Sequence, residues 1–460
     1  MNKTKIIASI NQDNYEKDTL QEMIINGVDA VCLDSSISDY NFIIRVIKDI
    51  EEINQKLNSS ISTILVLEES PLKTNEFKNG KAELRQADRI RIHMNPKIGS
   101  EVGFSVNHPS LIHSLKAHTI IKLSKGKVLL EVQEIGLDYV VCEVIKGGTV
   151  YSDSRIYIPG ISVERDYITK KTRDDVLLAN TMNIDYIVLP NVREEEDILK
   201  ANDLLIQHHN NHIGVLAQIE NDIAIENINK IIEASDGIIL NEDNLAINIP
   251  VENMPTTKNE IITKARENGK LTIITSKLEN IQSPLEISHL ADNIALGVDA
   301  IALIKKATSL ELLKGIEKVI NTQEKSINYE NFFTTVLKNE TKNINTAIIS
   351  NAVRNILNLN CKAIVIENKR NLAAKRISKF KPKCPIIAIL PNEREAKSLN
   401  IYYGVIPISI NDCTFDYVIE NAKVLSKKIL NLKNNDIIII VGNNSSYQNN
   451  YTNFLKIEEI

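Results

Sequence analysis

Polar and ionisable side chains stand at the carboxyl ends of several short apolar runs in this sequence. Glu220 ends the run IGVLAQIE, and Cys32 and Asp34 close the run VDAVCLD. A carboxylate at the end of an apolar strand is costly unless it is paired or bound to a metal ion, so Glu220 is either a functional ligand or the relic of one. Comparable positions belong to Glu68, Pro190, Gln218, Asn244, Ser276 and Lys305.

Two other groups of reactive side chains have a simpler explanation. Cys32 could act as a nucleophile, but no histidine lies near it in the neighbouring segments, which favours an inert buried thiol. His208, His209 and His212 include a pair at helical spacing, yet no acid or cysteine supports them. Because a zinc site needs three or four ligands, we interpret these histidines as structural.

The elements that carry these residues repeat along the first 310 residues. Short β-branched runs alternate with longer segments of helical periodicity, which predicts β/α units around a parallel sheet. Eight such units fit a (β/α)8 TIM barrel, in which functional residues gather at the carboxyl ends of the strands. The eight runs are residues 4–10, 28–34, 62–68, 186–190, 213–220, 237–240, 271–276 and 300–304.

The spacing of the runs predicts two further domains. More than a hundred residues separate the third run from the fourth, and they read as short strands broken at glycine turns. We therefore expect the barrel at 1–72 and 155–325 and a small inserted β-barrel domain at 73–154. The runs KAIVIEN, PIIAILP, GVIPISI and DIIIIVG predict a C-terminal α/β domain at 326–460.

Composition excludes several classes of protein. The chain has 460 residues, a net charge of −5 and 25% charged residues, which disfavours both disorder and a basic nucleic-acid binder. Five cysteines without a C-x-x-C pair argue against a disulfide framework or a cysteine zinc site. The amino terminus lacks a signal-like apolar core and no run of 18 apolar residues occurs, so we expect a cytoplasmic protein without a membrane partner.

Longer segments resemble the pyruvate kinase family from one end of the chain to the other. The opening TKIIASI, the segment CEVIKGGTVYSDSRIYIPGISV and the block QIENDIAIENINKIIEASDGIIL are similar to family motifs, and KPKCPIIAIL and YTNFLKI follow in order. The resemblance implies transfer of a phosphoryl group from phosphoenolpyruvate to ADP, giving pyruvate and ATP in glycolysis. It also implies Mg2+ and K+ as cofactors and a homo-oligomer, commonly a tetramer.

The catalytic positions that the resemblance assigns are largely replaced. The family's phosphate-binding arginine in RLNFSHG aligns with Cys32, and the lysine that neutralises the transferring phosphoryl group aligns with Gln218. Its second arginine, in DTKGPEIRT, meets Lys73, which keeps the charge but loses the bidentate fork. The catalytic threonine of TATQM is aligned with Ser276. Cys32, Gln218 and Ser276 are thus the candidate catalytic residues, and Lys73, Cys32 and Ser276 the candidates for binding substrate.

The metal positions are changed as well. Glu220 matches the first magnesium carboxylate, whereas the second meets Asn244, with Asp243 as a neighbouring substitute. Two potassium positions meet Asp34 and Ser36. Both metal sites are therefore expected to be weakened, and we expect a barrel mouth where no lysine or arginine converges on Glu220.

Three functions remain open from the sequence. A divergent pyruvate kinase is favoured by the family resemblance, and a catalytically inactive paralogue acting as a subunit or binding protein is favoured by the lost charges. A lyase or aldolase of related barrels would need a second acid beside Glu220. The inserted domain's lid turn, at Ser124 to Gly126, and Ser154 lack the family's acid and lysine, and ENKRNLA lacks the hydroxyl-rich effector loop.

Overall fold

The fold was analysed in a computed structural model of the 460-residue chain. The structure describes residues 2–13, 15–69, 71–161, 167–208, 212–303, 309–367, 372–410, 414–443 and 452–460. Several residues considered above lie outside these ranges: His209, Lys305, and Lys369 and Arg370 of the ENKRNLA segment.

The barrel begins with three strands that match the first three apolar runs. Its elements are β1 (Lys5–Ser9), α1 (Lys17–Ile25), β2 (Ala30–Asp34), α2 (Tyr40–Leu57) and β3 (Ser62–Val66). Asp39 caps the start of α2 by accepting a hydrogen bond from the Phe42 N–H. Asn58 ends the same helix in the left-handed region, at φ 51°, a conformation that asparagine tolerates well.

The segment between β3 and the fourth barrel strand is built mainly of strands. It contains β4 (Lys81–Leu84), β5 (Arg89–His93), β6 (Gly103–Ser105), the short α3 (Leu111–Ser114), β7 (Ile120–Leu123), β8 (Val128–Ile135), β9 (Tyr139–Lys146) and β10 (Gly148–Tyr151). A five-stranded sheet has the order β6-β5-β9-β8-β7, and β10 pairs with β4. A turn at Ser124–Gly126 joins β7 to β8.

The second part of the barrel alternates strands and helices to the end of the predicted repeat. It comprises α4 (Lys170–Thr181), β11 (Tyr186–Leu189), α5 (Glu195–Gln207), β12 (Gly214–Ile219), α6 (Asp222–Glu226), α7 (Ile228–Ala234), β13 (Gly237–Leu240), α8 (Glu242–Asn248), α9 (Met254–Glu267), β14 (Leu271–Ser276), α10 (Pro284–Ala295) and β15 (Ala300–Leu303).

These eight parallel strands close into a barrel in the order β1-β15-β14-β13-β12-β11-β3-β2. The predicted (β/α)8 architecture is therefore confirmed. Side chains alternate along each strand, because successive residues of a strand point to opposite faces. Ile7, Ile64, Leu216 and Ile273 belong to the inner set, whereas Leu33, Ile219 and Ile274 pack outward against the helices.

The C-terminal region is a second α/β unit. After α11 (Leu310–Ser326), which packs with the other barrel helices against the outward faces of the barrel strands, its elements are α12 (Tyr329–Lys338), α13 (Ile344–Leu359), β16 (Ala363–Glu367), α14 (Leu372–Ser378), β17 (Ile386–Leu390), α15 (Glu393–Leu399), β18 (Val405–Ser409), α16 (Phe415–Leu430), β19 (Ile437–Gly442) and β20 (Phe454–Glu459). The sheet order is β18-β17-β16-β19-β20, with only β20 antiparallel. The predicted α/β tail is confirmed.

This unit packs beneath the barrel, at the amino ends of the strands. Lys381 places its Nζ 2.5 Å from Asp299 Oδ1, and the Tyr403 N–H donates to the same oxygen at 3.0 Å. Both charged side chains are almost fully buried. The opposite end of the barrel is left to the inserted segment. In the described part of the chain, no helix is both long and apolar enough to cross a bilayer.

Candidate active site

A pocket of about 330 Å3 opens at the carboxyl end of the barrel. Seven strands each contribute one residue at or near their carboxyl end, all from the inward-facing set. The lining therefore follows from strand alternation, as a TIM barrel requires. These seven residues are Ser9, Cys32, Val66, Pro190, Gln218, Asn241 and Thr275.

One predicted catalytic residue is absent from this lining. Ser276 shares the outward face of β14 with Ile274, whereas Thr275 shares the inward face with Ile273. The structure therefore does not bring Ser276 into this pocket, because the strand alternation places its neighbour Thr275 there instead, and a catalytic role of Ser276 stays a prediction. A one-residue shift of the TATQM motif, still without a gap, aligns the threonine with Thr275.

The end of β2 contributes the predicted pair Asp34 and Ser36, and both line the pocket. Asp34 Oδ1 accepts hydrogen bonds from the Ser36 backbone N–H at 2.8 Å and from its hydroxyl at 2.6 Å. Burial, with a smaller effect of Asp34, raises the pKa of the Cys32 thiol to about 12. Cys32 is therefore a neutral thiol at neutral pH, and it supplies neither a nucleophile nor a positive charge.

Glu220 lies just beyond β12, and only 1% of its side chain is exposed. The Gln218 amide donates to Glu220 Oε1 at 3.4 Å, and the Asn244 amide donates to Glu220 Oε2. The Asn248 amide holds the Glu220 backbone carbonyl at 2.8 Å. The structure thus brings three of the predicted residues together, but as partners of one carboxylate.

Arg155 is the residue that the sequence did not identify. Its Nη2 lies 2.7 Å from Glu69 Oε1 and 3.7 Å from Glu220 Oε1. The expectation that no arginine or lysine converges on Glu220 is therefore wrong. Burial would lower the pKa of Arg155, but the nearby Glu220 and Glu69 carboxylates outweigh it and raise the pKa. Glu69 is the second residue that was missed, and the Asn191 amide donates to it at 2.9 Å.

The remaining predicted residues lie away from this group. Asp243 forms an ion pair with Lys277, and 52% of its side chain is exposed, so it does not replace the missing second acid beside Glu220. Lys73 is not part of the pocket lining; its backbone pairs with Arg155, and its N–H donates to Asn107 Oδ1 at 2.7 Å. The Glu68 N–H donates to the buried Asp175 at 3.0 Å.

A second cleft, of about 740 Å3, lies between the inserted segment and the barrel. Lys125 and Lys127 line it together with Ser154, Arg155 and Asn244. The predicted lid turn therefore faces the barrel, although it presents lysines rather than an acid. Ser124 donates its hydroxyl to the Thr149 carbonyl at 2.7 Å, which fixes the turn on its own sheet.

The donor set does not fit the magnesium ion that the family uses. Mg2+ needs carboxylate and carbonyl oxygens with free lone pairs. Both oxygens of Glu220 already face chain donors, and Asn244 turns its NH2 group, not its oxygen, toward Glu220. Among the described residues, no group of three or more His, Cys, Asp or Glu side chains could hold a metal ion. At the potassium positions, Asp34 and Ser36 bond to each other.

The comparisons with known proteins agree with the fold. The family model for the pyruvate kinase barrel domain matches residues 1–311, and the model for the pyruvate kinase alpha/beta domain matches residues 346–458. A pyruvate kinase of Clostridium perfringens is 28% identical over 478 aligned positions that cover all of both chains. One of Bacillus licheniformis is 28% identical and aligns with 96% of this chain and 78% of its own length.

A solved structure gives the same result for the architecture. The crystal structure of a pyruvate kinase from Cryptosporidium parvum superposes with a TM-score of 0.92 at 23% sequence identity. The alignment covers 100% of this chain and 96% of the other. Because the barrel-domain family model alone matches residues 1–311 of the 460-residue chain, the chain belongs to the pyruvate kinase family.

Proposed function

We propose that this protein is a member of the pyruvate kinase family that no longer transfers phosphoryl groups efficiently and serves as a binding protein or subunit. The observation that carries this proposal is the neutralisation of Glu220 by the chain itself. Gln218, Asn244 and Arg155 all face its two oxygens. A carboxylate whose oxygens already accept these contacts has few free lone pairs for a metal ion.

The charge of the pocket supports the same conclusion. Phosphoryl transfer depends on cationic groups that stabilise the phosphate oxygens. Here the pocket lining contains the carboxylates of Asp34 and Glu69 and the guanidinium of Arg155. Glu220 is not part of the lining, but its carboxylate lies against Arg155. A like-charge contact at about 4 Å costs about 4 kcal/mol at an effective dielectric constant of about 20. Phosphoenolpyruvate would meet such contacts at this mouth.

A divergent but active pyruvate kinase is the second candidate. Similarity over the full chain favours it, and so does the Thr275 side chain, which lies in the pocket where a hydroxyl would be needed. In that case the chain would convert phosphoenolpyruvate and ADP to pyruvate and ATP in the cytoplasm. In either case we propose a homo-oligomer and domains at 1–72 with 155–325, 73–154 and 326–460.

A coupled assay distinguishes the two candidates. Purified protein is incubated with phosphoenolpyruvate, ADP, Mg2+ and K+, and pyruvate formation is followed beside the Clostridium perfringens enzyme as positive control. We expect turnover below that of the control by more than about a thousandfold, since the loss of one preorganised donor alone costs about 10²–10³ in rate. Turnover within about a hundredfold of the control would exclude the inactive form.

Ligand-dependent unfolding gives a second test that does not require turnover. A ligand that binds only the folded chain at 100 times its dissociation constant stabilises it by about 2.7 kcal/mol. We therefore expect no rise in Tm with Mg2+ together with phosphoenolpyruvate, whereas the control enzyme should show one. A clear rise for this protein would show that its barrel mouth still accepts the family's substrate.

A further inference from the structure

We propose that the guanidinium of Arg155 takes the place of a divalent cation between Glu69 and Glu220, and that it joins the inserted segment to the barrel without a metal ion. This inference deepens the proposed function and rests on it. It also gives that function a structural cause, because the group that would compete with the metal is part of the chain.

The geometry around Arg155 is that of two carboxylates converging on one cation. The same Nη2 atom lies 2.7 Å from Glu69 Oε1 and 3.7 Å from Glu220 Oε1. Two carboxylates so close together repel each other unless a positive charge stands between them. Only 16% of the Glu69 side chain and 1% of the Glu220 side chain are exposed, so solvent does little to screen that repulsion.

The surrounding amides hold both carboxylates in place independently of Arg155. Asn191 donates to Glu69 at 2.9 Å and is itself held by Asn221 at 2.8 Å. Asn244 donates to Glu220. These amides belong to the barrel framework, so we expect them to keep the two acids near each other, against their repulsion, when the side chain of residue 155 is changed.

Arg155 connects three segments that are far apart in the sequence. Glu69 lies in the segment that leaves β3 for the insertion, and Arg155 lies in the segment that returns from β10. Glu220 belongs to the barrel itself, so one guanidinium links all three segments. Lys122 adds a second link from the insertion, through a 2.5 Å hydrogen bond from its Nζ to the Ile247 carbonyl of α8.

Removal of the guanidinium should therefore uncover a site for a hard divalent cation. Glu69 and Glu220 would supply carboxylate oxygens at one point, and Asn244 could rotate its amide oxygen toward the same point. Oxygen ligands of this kind, completed by water, suit Mg2+ and Mn2+. The wild-type chain should not bind either ion there, since a positive group already fills the space.

The test is a titration of the purified full-length chain with Mn2+, in which the EPR signal of the free aquo ion reports unbound metal. We expect the wild-type chain to leave the signal unchanged and Arg155→Ala to bind one Mn2+ per chain at least tenfold more tightly. Arg155→Lys, which keeps the charge, is the matched control and should behave as the wild type. The double variant Glu69→Gln with Arg155→Ala should lose the gained affinity.

Two results would overturn the proposal. One is that the wild-type chain binds one Mn2+ as tightly as Arg155→Ala does. Circular dichroism is recorded on both proteins to show that the variant is folded. The other is a folded Arg155→Ala that gains no affinity. If that variant does not fold, Arg155→Gln provides the same test, and tight binding by the wild type alone still refutes the idea. None of these readouts depends on turnover, so the coupled assay and the Mn2+ titration can fail separately.

Discussion

Asp175 offers the sharpest test of how the barrel mouth is held together. Its carboxylate is fully buried and accepts four hydrogen bonds: from the Ser35 hydroxyl at 2.6 Å, the Tyr40 hydroxyl at 2.7 Å, the Lys171 ammonium at 2.7 Å and the Glu68 N–H at 3.0 Å. Ser35 follows β2 and Glu68 follows β3. Asp175 therefore ties together the two strand ends that carry the pocket residues Asp34 and Glu69.

The cost of Asp175→Asn can be worked out from these contacts. The change keeps the size of the side chain but removes its charge, and the new NH2 group must face a donor. Loss of one member of a buried ion pair costs about 3–5 kcal/mol. Because Lys171 is 34% exposed and regains water when freed, we expect the lower end, about 3 kcal/mol. For a domain of about 150–250 residues that is a fall in Tm of about 6–12 °C.

The measurement is thermal unfolding by calorimetry, with urea unfolding by circular dichroism as a second probe. Asp174→Asn is the matched control, since Asp174 is the neighbouring residue on the same helix and is exposed. The control should change stability by less than about 0.5 kcal/mol. A loss below about 1 kcal/mol for Asp175→Asn would show that the four bonds contribute far less than their geometry indicates.

Three further predictions concern the mouth and its surroundings. The hydrogen bond to Glu242 raises the pKa of His289 above 6.5, so the stabilising effect of this pair is complete below pH 6.5 and is lost as pH rises through the raised pKa. His289→Gln should therefore flatten the fall in Tm between about pH 6 and pH 8, and an unchanged slope would contradict this. Since the pKa of Cys32 is raised from 9.0 to about 12, its thiolate fraction at pH 8 is about a thousandfold lower than in the unfolded chain. Iodoacetamide labelling followed by mass spectrometry should therefore show Cys32 unreacted until the chain is denatured. Restoring the family's charges with Gln218→Lys and Cys32→Arg should raise turnover by less than about tenfold, because Arg155 and Asn244 still occupy Glu220 and keep the metal position closed. One restored donor at an otherwise intact site would be worth about 10²–10³ in rate, so full activity in the coupled assay would show that the effect of this closure was overestimated.

The fold could be predicted because its strands are buried on both faces. Such strands appear as continuous apolar runs, and runs such as TKIIASI and LTIITS coincide with β1 and β14. The insertion was visible as a break in an otherwise regular repeat. Neither inference needed knowledge of contacts between distant residues, since the local pattern and the count of units were sufficient.

The site could be predicted only where the family motifs supplied it. Gln218, Glu220 and Asn244 were predicted and do lie in contact, whereas Ser276 lies outside the pocket lining because the motif alignment did not take the alternation of β14 into account. Glu69 and Arg155 are separated by 86 positions and meet only because both segments cross between the insertion and the barrel. The signal that could have found them is their opposite charge at the two ends of the insertion.

The replacement of a metal ion by a guanidinium changes what this barrel mouth can do, even though both are cations. A magnesium ion keeps exchangeable positions, so substrate oxygens can displace water and be polarised directly. A guanidinium offers only N–H donors in a fixed plane, and here two carboxylates already take up its charge. Such a group can hold the insertion closed or attract an anion weakly, but it cannot act as a Lewis acid toward a phosphoryl group. Retention of the complete architecture is therefore compatible with loss of the family's reaction. Substitution of Arg155 is the experiment that should change the chemistry of the barrel mouth while the architecture is kept.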